Sequence, residues 1–171
     1  MKKIVTGALA LSVITSMAMA DFTTGMRTYL GAGLAMEDLE DISDDGMAIE
    51  VSAGGIYANN FGVEAKISKS ISPSEDNGVE VDVTTLSLFA TYNHPLSQEF
   101  TVTPKIGFTY FKTDVEYIDD DSNVNISYGI DLKFNLTQAT NIYLGYTAYN
   151  PEFKGNDFDA NHFSFGIQQK F

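Results

Sequence analysis

Cysteine is absent from the 171 residues, and basic residues are scarce, ten against 23 acidic ones. Without cysteine no disulfide can staple a small exported domain. Stability must come from elsewhere, from a sheet that closes on itself or from a membrane. The formal charge is −13, and −15 once Lys2 and Lys3 are set aside. So little positive charge disfavours nucleic acid, whose phosphates call for basic patches. Long apolar runs are missing too. After the first twenty residues nothing approaches the roughly 18 to 20 apolar residues of a membrane helix. A hydropathy scan would place such a chain in water. It fails for one class, the transmembrane barrel, whose strands alternate and average to neutral.

The first twenty residues stand apart. Lys2 and Lys3 form a charged start, and Ile4 to Val13 is an apolar stretch too short to span a bilayer. Ala18 and Ala20 are small residues at the two positions a signal peptidase reads. Cleavage is expected after Ala20, leaving residues 21–171 as one domain. Asp21 follows where a lipoprotein signal would carry cysteine.

Helical periodicity is nearly absent from the remainder, which alternates with period two between turn residues. Eight segments are read as strands: 26–36, 47–57, 62–71, 79–92, 100–111, 124–136, 141–149 and 162–171. In the sixth, Val124, Ile126, Tyr128, Ile130 and Leu132 oppose Asn125, Ser127, Gly129, Asp131 and Lys133. In the fourth, Val79, Val81 and Val83 start in one phase and Leu86, Leu88 and Ala90 continue in the other. That predicts a bulge near Thr84 and Thr85, or a strand whose outer end leaves the sheet. Three connections are short: 58–61, 93–99 and 137–140. Four are longer and hold most of the acidic residues: 37–46, 72–78, 114–122 and 150–160. Short turns at one end and long connections at the other are the plan of an up-and-down outer-membrane barrel. The fold class is therefore all-β, an eight-stranded antiparallel transmembrane barrel.

Alternation does not say which face is inside, and a soluble lipocalin-like barrel would turn its apolar face inward around a ligand. Three features favour apolar-out. The polar face carries many small residues, which suits the crowded lumen of eight strands. Its charges nearly balance: Arg27, Lys66, Lys105 and Lys133 against Glu50, Glu64 and Asp131. Buried charges persist when paired, so these seven are expected to form an internal ion-pair network. Aromatics recur near strand ends, as in interfacial girdles: Tyr57, Phe61, Tyr92, Phe100 and Phe171 at one end, Tyr110, Phe111 and Tyr149 towards the other.

With Tyr29-Leu30-Gly31-Ala32-Gly33-Leu34, Thr103-Pro104-Lys105-Ile106-Gly107-Phe108 and the closing Phe163-Ser164-Phe165-Gly166-Ile167-Gln168-Gln169-Lys170-Phe171, the chain resembles the small eight-stranded outer-membrane barrels of Gram-negative bacteria, the group of the OmpA transmembrane domain, OmpX and OmpW. The resemblance implies a location in the bacterial outer membrane, contact with its lipids and lipopolysaccharide, and both termini on the periplasmic side. It also implies an assembly signal in Phe163, Phe165, Ile167 and Phe171, read by the barrel assembly machinery. Gln169 departs from the apolar or aromatic residue usual at its position. A monomer without cofactor is expected.

His162-x-Ser164 is the sharpest catalytic motif, because some small barrels of this kind hydrolyse lipid A with a His-x-Ser pair. Both residues lie on the polar, inward face, and no acidic residue follows Ser164 to orient His162. Interior filler is the preferred reading. His94, before Pro95, reads as a turn residue. The acidic stretches 37–45 and 119–121 could hold divalent cations weakly, but neither matches a calcium-loop spacing. Three functions stay open: a non-enzymatic envelope or surface protein with acidic outer loops, which is preferred; a narrow conduit for small or hydrophobic solutes; and a lipid-modifying enzyme.

Overall fold

A computed structural model describes residues 25–39, 46–72, 74–76, 79–115, 121–149, 152–153, 156–157 and 160–171. The leader with Ala18 and Ala20, and the centres of the long acidic connections, lie outside the described residues. Eight long strands build the wall: β1 (Arg27–Leu39), β2 (Gly46–Ile56), β3 (Phe61–Ser72), β4 (Val79–Tyr92), β5 (Phe100–Val115), β6 (Asp121–Asn135), β7 (Thr140–Tyr149) and β8 (Ala160–Lys170). Each pairs antiparallel with its sequence neighbours, and β8 pairs with β1, closing the sheet. Closure leaves no unpaired edge among these eight. Three short pairings decorate the rims: Ser74–Asp76 on β4, His94–Pro95 on β5, and Glu152–Phe153 with Asn156–Asp157.

The pairing register can be followed once around the wall. It runs from Tyr29 through Gly54, Glu64, Phe89, Gly107, Ser127, Tyr149 and Ala160, and returns to β1 at Leu39. The circuit therefore closes ten residues above its start. That stagger tilts the strands and sets the bore, which for eight strands is wide enough only for side chains. Strands β4, β5 and β6 run 14, 16 and 15 residues. A tilted strand needs about 9–11 to cross a bilayer. The surplus projects at the end with the long connections. At the opposite end the turns are tight. Between β2 and β3, Asn60 adopts φ 68° and donates its backbone N–H to the Tyr57 carbonyl at 2.9 Å, a left-handed position that asparagine tolerates well.

Apolar side chains face out. Leu88, Ile106, Phe108 and Val124 are 59–63% exposed, far above what a core would allow, while Glu50, Glu64, Lys66 and Asp131 are buried in the lumen. A ring of aromatics marks the short-turn end, with Phe61 on Tyr92 and Phe100 on Phe134 at centroid distances of 5.0 and 5.1 Å. Such a belt meets lipid, where apolar exposure costs nothing and Tyr or Phe mark the interface.

Four details differ from the sequence reading. The strand β4 does not change phase at Thr84 and Thr85: Val83, Thr85, Ser87 and Phe89 all point inward and the ladder with β5 is unbroken. Val83 is apolar yet inward because the upper lumen accepts apolar filler. Among the described residues the wall irregularity lies between Met47 and Ala48, where β3 holds the extra residue Ile71. Phe111 and Tyr149 are not girdle residues but pack inside the lumen, ring centroids 6.1 Å apart. The strands also run further into the long connections than expected, so Glu37 belongs to β1 and is buried.

Candidate functional site

Polar chemistry in this wall has one place to go. Alternation turns every second residue inward, and the stagger stacks those residues into tiers. Lumen charges are cut off from bulk water and persist only with partners.

At mid-height, the Lys66 ammonium donates to both oxygens of Glu50 at 3.0 and 3.3 Å, and Ser164 adds its hydroxyl to the same carboxylate at 2.7 Å. Lys66 comes from β3, Glu50 from β2 and Ser164 from β8, so the contacts knit three strands. Beside them Lys105 lies 2.7 Å from Asp131 and 3.7 Å from Glu64. Tyr29 donates its hydroxyl to Glu64 at 2.7 Å. Its ring needs space, which Gly54 directly opposite supplies: a Cβ there would collide with the phenol. In the same way Gly33 and Gly166 accommodate the hydroxyl of Tyr143. Hydroxyl pairs complete the tier, Ser68 with Thr85 at 2.9 Å and Thr109 to Ser87 at 2.8 Å.

Towards the long-connection end a second cluster forms. Ser70 donates to Glu37 at 2.6 Å and its oxygen also accepts the backbone N–H of Val83 at 2.9 Å. The other Glu37 oxygen lies 3.4 Å from His162 Nε2, and the His162 ring meets Tyr149 edge-on at 4.8 Å. So His162 does have an acidic neighbour, one that precedes it in the chain. Ser164, however, gives its proton to Glu50 and not to the imidazole. Both are sealed within the lumen, His162 completely.

Of the seven charged residues singled out for the interior, six are buried here. Five of those, Glu50, Glu64, Lys66, Lys105 and Asp131, make direct contacts with one another. Lys133 is buried without a carboxylate partner among the described residues and lies under the face of Tyr29, 5.3 Å from the ring centroid. Arg27 stands apart, exposed at the short-turn mouth. The mouth itself is a cavity of ≈ 240 Å³ whose lining includes Arg27, Tyr29, Lys133, Asn141, Gln168 and Lys170. Tyr29, Glu37, Ser70 and Ser164 were the members the sequence reading did not place in the network. For Glu37 a signal existed: counting by twos from Tyr29 along β1 reaches it.

Of the expected assembly residues, Phe163, Phe165 and Ile167 point outward from β8, and Phe171 is exposed just beyond it. Gln169, on the same face, accepts a hydrogen bond from Thr140 at 2.8 Å, a polar contact at the rim. His94 is exposed and stacks near Tyr92. Among the described residues no three acidic or imidazole side chains converge as a metal site would require. Asp119 and Asp120 lie outside the described residues.

The fold has solved counterparts. Neisserial surface protein A superposes with a TM-score of 0.67 at 14% identity, covering 86% of this chain and 98% of that one. Ail, the attachment invasion locus protein of Yersinia pestis, in complex with the heparin analogue sucrose octasulfate, gives 0.62 at 15%, covering 85% and 99%. The N-terminal β-barrel domain of Pseudomonas aeruginosa OprF gives 0.63 at 11%, covering 85% and 99%. At such identities the likeness shows the fold alone. No curated protein matches the sequence. The model of the outer membrane protein beta-barrel domain matches residues 6–171, and the chain, a closed eight-stranded barrel with its apolar face outward, belongs to that family of the bacterial outer membrane.

Proposed function

We propose that this barrel is a non-enzymatic surface protein whose lumen is a structural plug and whose acidic outer edge is its working face. One observation carries the reading. Glu50, Glu64, Lys66, Lys105 and Asp131 fill the middle of the bore, none more than 4% exposed, with opposite charges 2.7–3.7 Å apart. A bore closed by ion pairs has no water column for solutes, and eight strands enclose little space to begin with. Against catalysis stands the direction of the Ser164 proton, which goes to Glu50, and the burial of His162 away from lipid. A serine nucleophile must hand its proton to the imidazole.

The outer edge suggests the kind of partner. The long connections carry most of the chain's acidic residues, so they attract polycations and bridge to anionic headgroups through divalent cations. Ail is crystallised with a polyanion, and an acidic edge would repel that ligand. Planar-bilayer recording of the purified, folded barrel tests the plug. The expected record is flat, and reproducible unitary steps from the wild type would overturn the reading in favour of a conduit. Cells displaying the barrel should bind a polylysine surface more than heparin, with the preference lost when the acidic connections are neutralised.

A further inference from the structure

The short-turn mouth gathers charge of one sign. Arg27, Lys133 and Lys170, three of the chain's ten basic residues, line one cavity of ≈ 240 Å³ with no aspartate or glutamate in its lining. This happens in a protein with more than twice as many acids as bases. Lys133 is only 3% exposed and, among the described residues, has neither ion pair nor hydrogen bond. Its ammonium lies 5.3 Å from the ring centroid of Tyr29, whose hydroxyl is committed to Glu64. Tyr29 also lines the cavity, whereas Glu64 and Asp131 do not. Lys170 is oriented by Asn135 at 3.1 Å. Gln168 and Asn141 add buried amides to the wall.

Three cations around one cavity whose lining holds no carboxylate repel one another. An anion in the space would offset that repulsion. We propose that the short-turn mouth is a binding site for one phosphate-sized oxyanion. Lys133 would hold it from below, Lys170 from the side and Arg27 from the opening. Guanidinium forks suit planar pairs of oxygens and lysines act as point charges. The cavity opens at the end where the family resemblance puts the periplasm. Two sources share this chemistry there, free phosphate and the headgroup of an inner-leaflet phospholipid. The site is independent of the outer edge and of the plug.

The test uses the full barrel folded in a neutral detergent, with folding checked by the heat shift on a gel. Inorganic phosphate is titrated and read by calorimetry and by the thermal midpoint. The wild type should bind one equivalent saturably and unfold at a higher temperature with phosphate. Lys133→Met should weaken binding by at least about tenfold, a loss of ~1.4 kcal/mol, while Lys133→Arg should keep most of it. Lys69→Gln, at an exposed ion pair towards the other end, should bind like wild type. If Lys133→Met fails to fold, Lys170→Gln, at the rim, reports the same loss. A short-chain phosphatidic acid below its micellar concentration separates the sources. Much tighter binding than phosphate identifies the headgroup, and equal binding the free anion. Absence of saturation, or equal affinity in wild type and Lys133→Met, would overturn the proposal.

Discussion

The middle of the lumen and its short-turn mouth use the same residue types to opposite ends. At mid-height each ammonium faces a carboxylate, Lys66 on Glu50 and Lys105 between Asp131 and Glu64. At the mouth Arg27, Lys133 and Lys170 face one another across open space. The difference is one of water. Where the bore is filled, an unpaired charge loses its hydration with nothing in return, so charges are matched. Where a cavity opens to solvent, a cation can keep water or take an anion. A single ring, that of Tyr29, marks the boundary between the regimes.

The largest expected effect breaks the filled side. Lys66→Met leaves Glu50 buried with Ser164 as its remaining described partner, and should cost about 3–5 kcal/mol in urea unfolding from detergent micelles or bilayers. Glu50→Gln added to it should recover most of that loss. The same substitution at the mouth sharpens the contrast, because Lys133→Met removes a cation that makes no direct ion pair among the described residues. In phosphate-free buffer it should be neutral or stabilising by roughly 1 kcal/mol, opposite in sign to Lys66→Met. On the outer wall, Leu88→Arg puts a charge on the lipid face and should cost about 2–4 kcal/mol in lipid, a penalty that falls in micelles. At the boundary, Gly54→Ala displaces the Tyr29 ring and should cost about 1–3 kcal/mol, with Tyr29→Phe in the same background costing little more. The smallest effect belongs to Lys69→Gln, which breaks the exposed pair with Asp82 at 3.4 Å and should change stability by less than about 1 kcal/mol.

Much of the wall was legible in the alternation, because a strand between lipid and lumen has no other way to arrange its side chains. The partners were not. Glu50 and Ser164 are 114 positions apart and meet only because the sheet closes with its stagger. No local pattern contains that. Glu37 was taken for a loop residue since it opens an acidic run, and acidity there reflects two environments in succession, lumen then water. Val83, Phe111 and Tyr149 misled in the opposite direction. Reading apolar as outward holds in the middle of the barrel, but towards the rim beyond the ion pairs the lumen takes apolar filler as readily as polar. Arg27 carried the right parity for the interior, yet it sits at the very end of its strand, where the bore is already open.

One fit described above bears on how the barrel finds its single correct assembly. A slip of one residue between neighbouring strands exchanges lipid-facing and lumen-facing sets, and the membrane rejects it at once. A slip of two preserves both faces and would escape that check. It cannot escape the steric one. Moving β1 by two residues against β2 sets the Tyr29 ring opposite Ser52 or Ile56 instead of Gly54, and no side chain can share that space. At the closing seam, Tyr143 likewise needs both Gly166 and Gly33 beneath it. Hydrophobicity therefore works as a parity check on the strands, and the tyrosine-on-glycine fits verify the count that parity alone leaves ambiguous.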